Sequence, residues 1–197
     1  MNTFARIILI AFVAIFVENT IFFRGFGSST MIISSKNKRY FVGLTLCITY
    51  MTTVSCALAY FANKIFTDYD MNYLYLPIIY VVIIGCVYII TLLLLYKIFN
   101  SLFVKIKKYI HLSAFNCAVL GAMFISSIKD LSFIEYLVFG LATGIGFMLA
   151  AYLLVIVYDK LYSEDVPKSF RGYPIILIYI GIISMALYGF AGNQLSL

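Results

Sequence analysis

The chain has 197 residues, of which 64% are hydrophobic and 11% are charged, and its mean hydropathy is +1.04. Soluble domains carry about 25% charged residues, so this composition excludes a water-soluble globular protein and indicates one integral membrane domain. The formal net charge is +6, but the basic residues lie in short loops between apolar stretches, where they act as topology signals rather than as a surface for nucleic acid.

Six apolar stretches follow one another along the chain, each close to the ~20 residues that cross a bilayer as a helix. The first begins like a secretory signal peptide, but it runs into Glu18 and Asn19 without a small-residue cleavage pattern, so we expect it to be retained. The sequence therefore predicts an all-α membrane protein with six transmembrane helices. Their predicted bounds are 4–23, 40–61, 74–96, 109–128, 131–158 and 173–190.

The distribution of lysine and arginine predicts the orientation of these spans. Loops 34–40, 97–108 and 159–172 together carry ten such residues, whereas the connections on the other side carry three. Cytoplasmic loops hold the excess of basic residues in membrane proteins. These three loops are therefore predicted to face the cytoplasm of a bacterial inner membrane, and both termini are predicted to be extracytoplasmic.

A weak internal symmetry divides the single membrane domain, 1–197, into halves of three spans, 1–99 and 100–197. An odd number of spans makes the two halves cross the membrane in opposite senses, and each half opens with a span interrupted near asparagine and glycine. Paired interruptions of this kind indicate an inverted repeat whose broken or re-entrant helices meet near the bilayer midplane. The predicted helix-break residues are Gly25, Gly27 and Gly121.

Glu18 is the acidic residue of greatest interest, because it lies within or near the first span. A charge at membrane depth costs about 3 kcal/mol on insertion scales unless it is paired or hydrated. Two interpretations stay open: an ion or proton site, and an interfacial residue paired with Arg24. Together with Asn19 and Asn116, Glu18 is a candidate cation ligand at the paired breaks, as in an inverted-repeat cation transporter.

The four cysteines lie in apolar stretches without a CxxC spacing, so the sequence predicts neither a disulfide framework nor a self-contained zinc site. They are Cys47, Cys56, Cys86 and Cys117. A lone cysteine in a membrane span is usually a small packing residue. Cys117 could serve as an iron ligand only with thiolates from elsewhere, because a [2Fe–2S] cluster takes four.

Several segments resemble a known family of membrane subunits. Residues 116–121, NCAVLG, are similar to the signature of the RnfA (RsxA) component of the Rnf electron transport complex, and residues 165–172, DVPKSFRG, resemble the DVPxxFRG segment before its last span. The final stretch 181–192 and the first break, from Glu18 to Gly27, also resemble that component. The chain is thus identified as a member of the Rnf/Nqr membrane subunit family, with RnfA and the Nqr component NqrE as its relatives.

The resemblance implies a six-span inverted repeat that pairs with a sister subunit of the same fold, such as RnfE or NqrD. It also implies a [2Fe–2S] cluster in the middle of the membrane, to which each sister gives one cysteine from each broken helix, and no flavin on this chain. The family's first ligand position reads Ser29 here, and the second is Cys117. The metal site is therefore predicted at Cys117 and Ser29, or the cluster is absent.

The leading hypothesis is an integral membrane subunit of an Rnf- or Nqr-type ion-translocating complex, which relays electrons across the bilayer or scaffolds the relay. The sequence shows no catalytic base, nucleophile or nucleotide-binding loop, so a non-autonomous component is expected rather than a complete enzyme. Two alternatives stay open: the cation transporter described above, and a structural paralogue without the cluster.

Overall fold

A computed structural model describes residues 3–35, 38–67, 75–98, 100–129, 131–164 and 166–191. These residues form helices and connections, with no strand among them. The elements are α1 (Thr3–Phe12), which continues as a π-helical turn (Val13–Val17), α2 (Ser28–Ser35), α3 (Lys38–Thr67), α4 (Leu76–Ile98), α5 (Asn100–Ala114), α6 (Cys117–Ile128), α7 (Phe133–Leu161) and α8 (Tyr173–Ala191). Several positions used in the predictions lie outside the described residues: 36 and 37 in the first predicted cytoplasmic loop, 99 in the second, 165 in the third, 74 at the start of the third span and 192 at the end of the last segment.

The lengths and composition of the helices confirm an all-α membrane protein. Three described segments are long and apolar enough to cross a bilayer, Tyr40–Ile65, Leu76–Ile98 and Phe133–Leu161. A bent pair, Phe103–Ala114 with Cys117–Ile128, meets at 50° and is either a fourth, broken span or a re-entrant loop. Thr3–Val17 and Tyr173–Gly189 are shorter apolar helices. The division into an inverted repeat of three plus three spans stays a prediction.

The first predicted span, 4–23, is wrong at its end. The helix that begins at Thr3 stops at Val17, and residues 18–27 form turns before α2 begins. The physical reason is Asn19, whose buried side chain bonds to backbone groups on both sides of the break and so replaces helical hydrogen bonds.

Helices α3 and α7 pack closely at the centre because glycines on α7 leave room for the backbone of α3. A Cβ atom at Gly144 would lie 2.5 Å from Thr49 Cα, and one at Gly140 would lie 2.8 Å from the Thr52 carbonyl oxygen. Small residues allow this approach between membrane helices, where packing replaces the hydrophobic effect as the main source of association. The small-residue face of α7 is therefore used inside the fold, and it brings α7 against the break between α1 and α2.

Capping fixes the start of α7. The hydroxyl of Ser132 and the carboxylate of Glu135 form a capping box, in which Ser132 N–H donates to Glu135 Oε2 at 2.7 Å. Glu135 is buried and also pairs with Arg6, whose Nε lies 2.9 Å from Glu135 Oε1. This ion pair joins the start of α1 to the start of α7, so the carboxylate is neutralised despite its burial.

Candidate functional site at the two helix breaks

Asn19 organises the first break. Its Oδ1 accepts from the backbone N–H of Ile21 at 3.0 Å, and its Nδ2 donates to the carbonyl oxygens of Ile15 at 2.9 Å and Gly146 at 3.0 Å. The residue is 1% exposed. Unpaired backbone groups are expensive at membrane depth, and this one side chain satisfies three of them while tying the break to α7.

Two glycines turn the chain from the break into α2. Gly25 and Gly27 have φ angles of 68° and 80°, a region that favours glycine. A Cβ atom at Gly25 would meet nothing within 4 Å, whereas one at Gly27 would lie 2.7 Å from Asn116 Oδ1 and 3.0 Å from Phe147 Cε2. Gly27 is therefore required twice, by its backbone conformation and by the close approach of the second break.

The second break is shorter and lies at Phe115 and Asn116, between α5 and α6. Asn116 caps α6, because its Oδ1 accepts from the N–H of Ala118 at 2.9 Å. The side chain is buried, at 3% exposed, and its Nδ2 has no hydrogen-bond partner in the described part of the chain. A buried donor without a partner is uncommon in folded proteins.

The prediction that Gly121 breaks the second helix is wrong, because Gly121 lies inside α6. It is needed for packing instead: a Cβ atom there would lie 2.4 Å from Cδ2 of the Phe26 ring. Phe26 belongs to the first break, so Gly121 lets the two breaks approach each other.

The two breaks meet at Cys117. The N–H of Gly27, immediately before α2, donates to Cys117 Sγ at 3.0 Å, across 90 residues of sequence. Cys117 is itself the first residue of α6. The N-terminal ends of two short helices therefore converge on one sulfur, and the partial positive charge at each end stabilises negative charge there.

The thiol also reaches a cavity. Cys117 is exposed, and a largely apolar cavity of about 330 Å³ lies beside it. The lining residues are Val81, Ile84, Gly85, Tyr88, Ala114, Phe115, Asn116, Cys117 and Leu120. The Tyr88 hydroxyl is hydrogen-bonded to Nδ1 of His111, so the only histidine has a partner on α4. Ser29, at the family's first ligand position, lies in the first turn of α2 and is exposed.

The residues that the structure describes do not complete an iron–sulfur site by themselves. No group of three or more His, Cys, Asp or Glu side chains suited to a metal ion occurs among the described residues. Cys47 and Cys56 lie in α3 and Cys86 lies in α4, so Cys117 is the one cysteine at the breaks. A cluster that takes four ligands would need the others from another chain.

The three candidate cation ligands are arranged poorly for a cation. Asn19 uses both atoms of its carboxamide internally, and the unpaired atom of Asn116 is a donor, which repels cations. Glu18 Oε2 lies 2.6 Å from Lys129 Nζ. Of the two interpretations left open for Glu18, the ion pair with Arg24 is wrong in its partner: the cation is Lys129, and Arg24 is exposed. The sequence did offer one sign of this pair: Lys129 is an isolated basic residue directly after the apolar helix α6.

The family model described as "Rnf-Nqr subunit, membrane protein" matches residues 7–193. An RnfA-type component of the Na(+)-translocating ferredoxin:NAD(+) oxidoreductase complex of Acetobacterium woodii is 30% identical over 190 residues, which are 96% of this chain and 98% of that protein. An NqrE-type component of the Na(+)-translocating NADH-quinone reductase of Proteus mirabilis is 28% identical over 92% of this chain and 95% of its own length. An RnfA-type component of the ion-translocating oxidoreductase complex of Psychromonas ingrahamii is 30% identical over 77% of this chain and 79% of its own length.

Proposed function

The chain belongs to the Rnf-Nqr family of membrane subunits, and from that premise we propose that it is one subunit of an ion-translocating electron transport complex. Its relatives carry the names of such components, and they align with it over most of their lengths. The resemblance predicted from residues 116–121 and 165–172 is thereby confirmed. The same comparison implies that this chain is a multi-pass membrane protein and that it works together with other subunits.

One observation supports a redox role for the breaks: the hydrogen bond from Gly27 N–H to Cys117 Sγ. Two helix N-termini and the unpaired amide of Asn116 surround an exposed thiol, and together they favour a negatively charged, sulfur-ligated centre. We propose that Cys117 contributes one thiolate to a [2Fe–2S] cluster, a one-electron carrier, with Ser29 as this chain's other ligand and two thiolates from a sister subunit of the same fold. Ser29 would face that centre from the first break.

The test measures the iron content and the electron paramagnetic resonance signal of the whole complex, purified from its native membranes. We expect a paramagnetic signal from the reduced complex that is lost in Cys117→Ala and kept in Cys86→Ala. Cys86 is the matched control, because it is also exposed but lies in α4 and does not line the cavity beside Cys117. Retention of iron and signal in Cys117→Ala would refute ligation by Cys117. An iron-free wild-type complex would instead support the structural paralogue without a cluster.

Ser29→Cys tests the first ligand position separately. If the Ser29 oxygen is a ligand, the cysteine variant keeps its iron and its signal shifts, because a thiolate is a softer donor to iron than an alkoxide. An unchanged signal means that Ser29 does not bind iron. Position 29 is exposed in the first turn of α2, so we expect the Ser29→Cys protein to fold.

Two further parts of the proposal concern the sister protein and the orientation. A protein of the same fold, resembling RnfE or NqrD, should copurify with this chain. In the bacterial inner membrane, loops 97–108 and 159–172 should face the cytoplasm, and both termini should be extracytoplasmic. Reporter fusions to these loops and to the C-terminus test the orientation, and activity of the reporters on the opposite sides would refute it.

A further inference from the structure

The single histidine of the chain lies next to the second helix break. His111 belongs to the last turn of α5, and its carbonyl oxygen accepts from the backbone N–H of Phe115 at 3.3 Å. Its ring lies 5.3 Å, centroid to centroid, from the ring of Tyr88 on α4. Ligation of iron by Cys117 uses neither ring, so this pair is separate from the proposed set of ligands.

Tyr88 connects the histidine to the cavity beside Cys117. Its hydroxyl group is hydrogen-bonded to Nδ1 of His111, and its ring lies 5.8 Å from that of Phe115. Tyr88 and Cys117 line the same cavity of about 330 Å³, and every residue of its lining belongs to the described part of the chain. One tyrosine and one small cavity therefore separate a titratable ring from the sulfur.

The hydrogen bond between Tyr88 and His111 suits both charge states of the imidazole. In the neutral ring Nδ1 can accept from the tyrosine O–H, whereas both ring nitrogens of the imidazolium are donors. A hydroxyl oxygen also accepts, so the contact persists after His111 gains a proton. The hydrogen of the Tyr88 hydroxyl is then no longer held by His111, and it becomes available to the cavity.

The helices around His111 carry no carboxylate that would fix its charge. α5 packs against α3 and α4 and leads into α6, and none of these four helices contains Asp or Glu. Tyr109 contacts Gly43 near the start of α3, and Cys117 begins α6. The acidic residues that follow α3 and α6 therefore come after the ends of those helices that are far from His111.

The other titratable groups near His111 are basic or ordinarily neutral. Lys107 and Lys108 are exposed and lie one turn before His111 on α5. At the same level of α3, α4 and α6, the titratable side chains are Tyr40, Cys47, Tyr50, Cys86, Tyr88 and Cys117. Phenol and thiol groups are ordinarily neutral at pH 7. A negative charge held at Cys117 is therefore the charge on these helices that favours a proton on His111.

We propose that His111 takes up one proton when one electron reaches a centre held by Cys117, and that Tyr88 links the two. This role rests on the proposed redox function of the breaks. The electron comes from a one-electron carrier of the complex, an iron–sulfur or flavin group, and the proton comes from water. The proton binds the lone pair of the imidazole, so a positive charge on His111 balances the negative charge added at Cys117. No other covalent bond forms or breaks.

Two effects favour the protonated histidine once the electron has arrived. Charges interact strongly where water is excluded, because the effective dielectric constant is well below that of water, and histidine is the side chain whose charge changes most readily between about pH 5 and 8. Hydrogen bonds to the sulfur atoms also help to set the reduction potential of such a centre. The O–H of Tyr88, released when His111 is protonated, can supply one from the wall of the cavity. Both residues act by position and charge, and neither is a ligand.

The experiment measures the midpoint potential of the electron paramagnetic resonance signal in the whole complex, purified from its native membranes, between about pH 5 and 8. Titration with redox mediators supplies the electrons. His111→Gln is the test variant, because an amide can hydrogen-bond to Tyr88 but does not titrate. Lys108→Gln is the control, because it removes a basic residue one turn away on the same helix, at an exposed position.

In the wild-type complex, the potential should fall as the pH rises, with a slope that approaches about 59 mV per pH unit, the value for a tenfold change in a one-electron equilibrium. His111→Gln should keep its iron and lose the slope, whereas Lys108→Gln should keep both. A pH-independent potential in an iron-containing wild-type complex would overturn the role of His111 alone. A slope that persists in His111→Gln would overturn it too, because the proton then binds elsewhere. An iron-free wild-type complex would refute the proposed function and this role with it.

Tyr88→Phe provides a second variant in case His111→Gln does not assemble. It keeps the aromatic ring and His111 but removes the hydroxyl group. We therefore expect the potential to be more negative than in wild type at the acid end of the range and unchanged at the alkaline end, so that the slope is shallower. A slope equal to that of wild type would overturn the link through Tyr88.

Discussion

Gly27→Ala is the substitution that tests the convergence of the two breaks most directly. An L residue at φ 80° costs about 1–2 kcal/mol. The added Cβ atom would also lie 2.7 Å from Asn116 Oδ1 and 3.0 Å from Phe147 Cε2, and overpacking of this kind costs about 1–3 kcal/mol. The sum is about 2–5 kcal/mol of lost stability.

Gly25→Ala is the matched control, because its φ of 68° is similar and its Cβ atom would meet nothing within 4 Å. It should lose only the conformational part, about 1–2 kcal/mol. Thermal unfolding of both variants in detergent measures the difference, since 1 kcal/mol corresponds to about 2–4 °C for a chain of this size. Gly27→Ala should therefore unfold about 2–12 °C below Gly25→Ala. Equal unfolding temperatures would refute the close approach of Gly27 to Asn116.

Three further outcomes follow from the packing and the ion pairs. Gly144→Ala places a Cβ atom 2.5 Å from Thr49 Cα, and thermal unfolding should show a loss of about 1–3 kcal/mol in stability. Gly181→Ala is the control, because its Cβ atom meets nothing within 4 Å, and it should change stability by less than about 0.5 kcal/mol. Similar values for the two variants would contradict the α3–α7 contact. A double-mutant cycle of Glu18→Gln and Lys129→Gln should give a coupling of about 1 kcal/mol that weakens with added salt, and zero coupling would mean that the pair does not form. Arg6→Gln should cost about 1–3 kcal/mol, because it leaves the buried Glu135 without its cation, while Arg24→Gln, at an exposed position, should be nearly neutral.

The long spans could be predicted from the sequence because their cause is local. The backbone groups of a charge-free stretch of this length can form all their hydrogen bonds in lipid only as a helix. The sequence therefore predicts most of the bounds of α3, α4 and α7 to within a few residues. The end of the first helix has a different cause. It depends on hydrogen bonds from Asn19 to Ile15 and to Gly146, and the second of these spans 127 residues. No local pattern reveals such a contact.

The same distinction applies to the candidate site. Glycine and asparagine in apolar spans predict helix breaks. They do not tell which glycine adopts a positive φ angle and which only leaves space for a neighbouring side chain. Gly27 does both, whereas Gly121 only admits the Phe26 ring. The partner of Glu18 escapes prediction for a similar reason, because Lys129 is 111 residues away along the chain. Pairing between distant segments is a property of the fold.

The direction of the helices that meet at the breaks distinguishes an electron relay from a cation transporter, two of the functions that the sequence left open. A cation at paired helix breaks is coordinated by carbonyl oxygens at the C-terminal ends of half-helices, and an anion by the N-terminal ends. Here the N–H of Gly27 and the first residue of α6 meet at Cys117, and Asn116 presents its amide N–H donors with no partner among the described residues. The arrangement therefore favours a negatively charged centre at the breaks over a bound cation. Na⁺ binding by the isolated chain that is abolished by Asn116→Ala would contradict this conclusion.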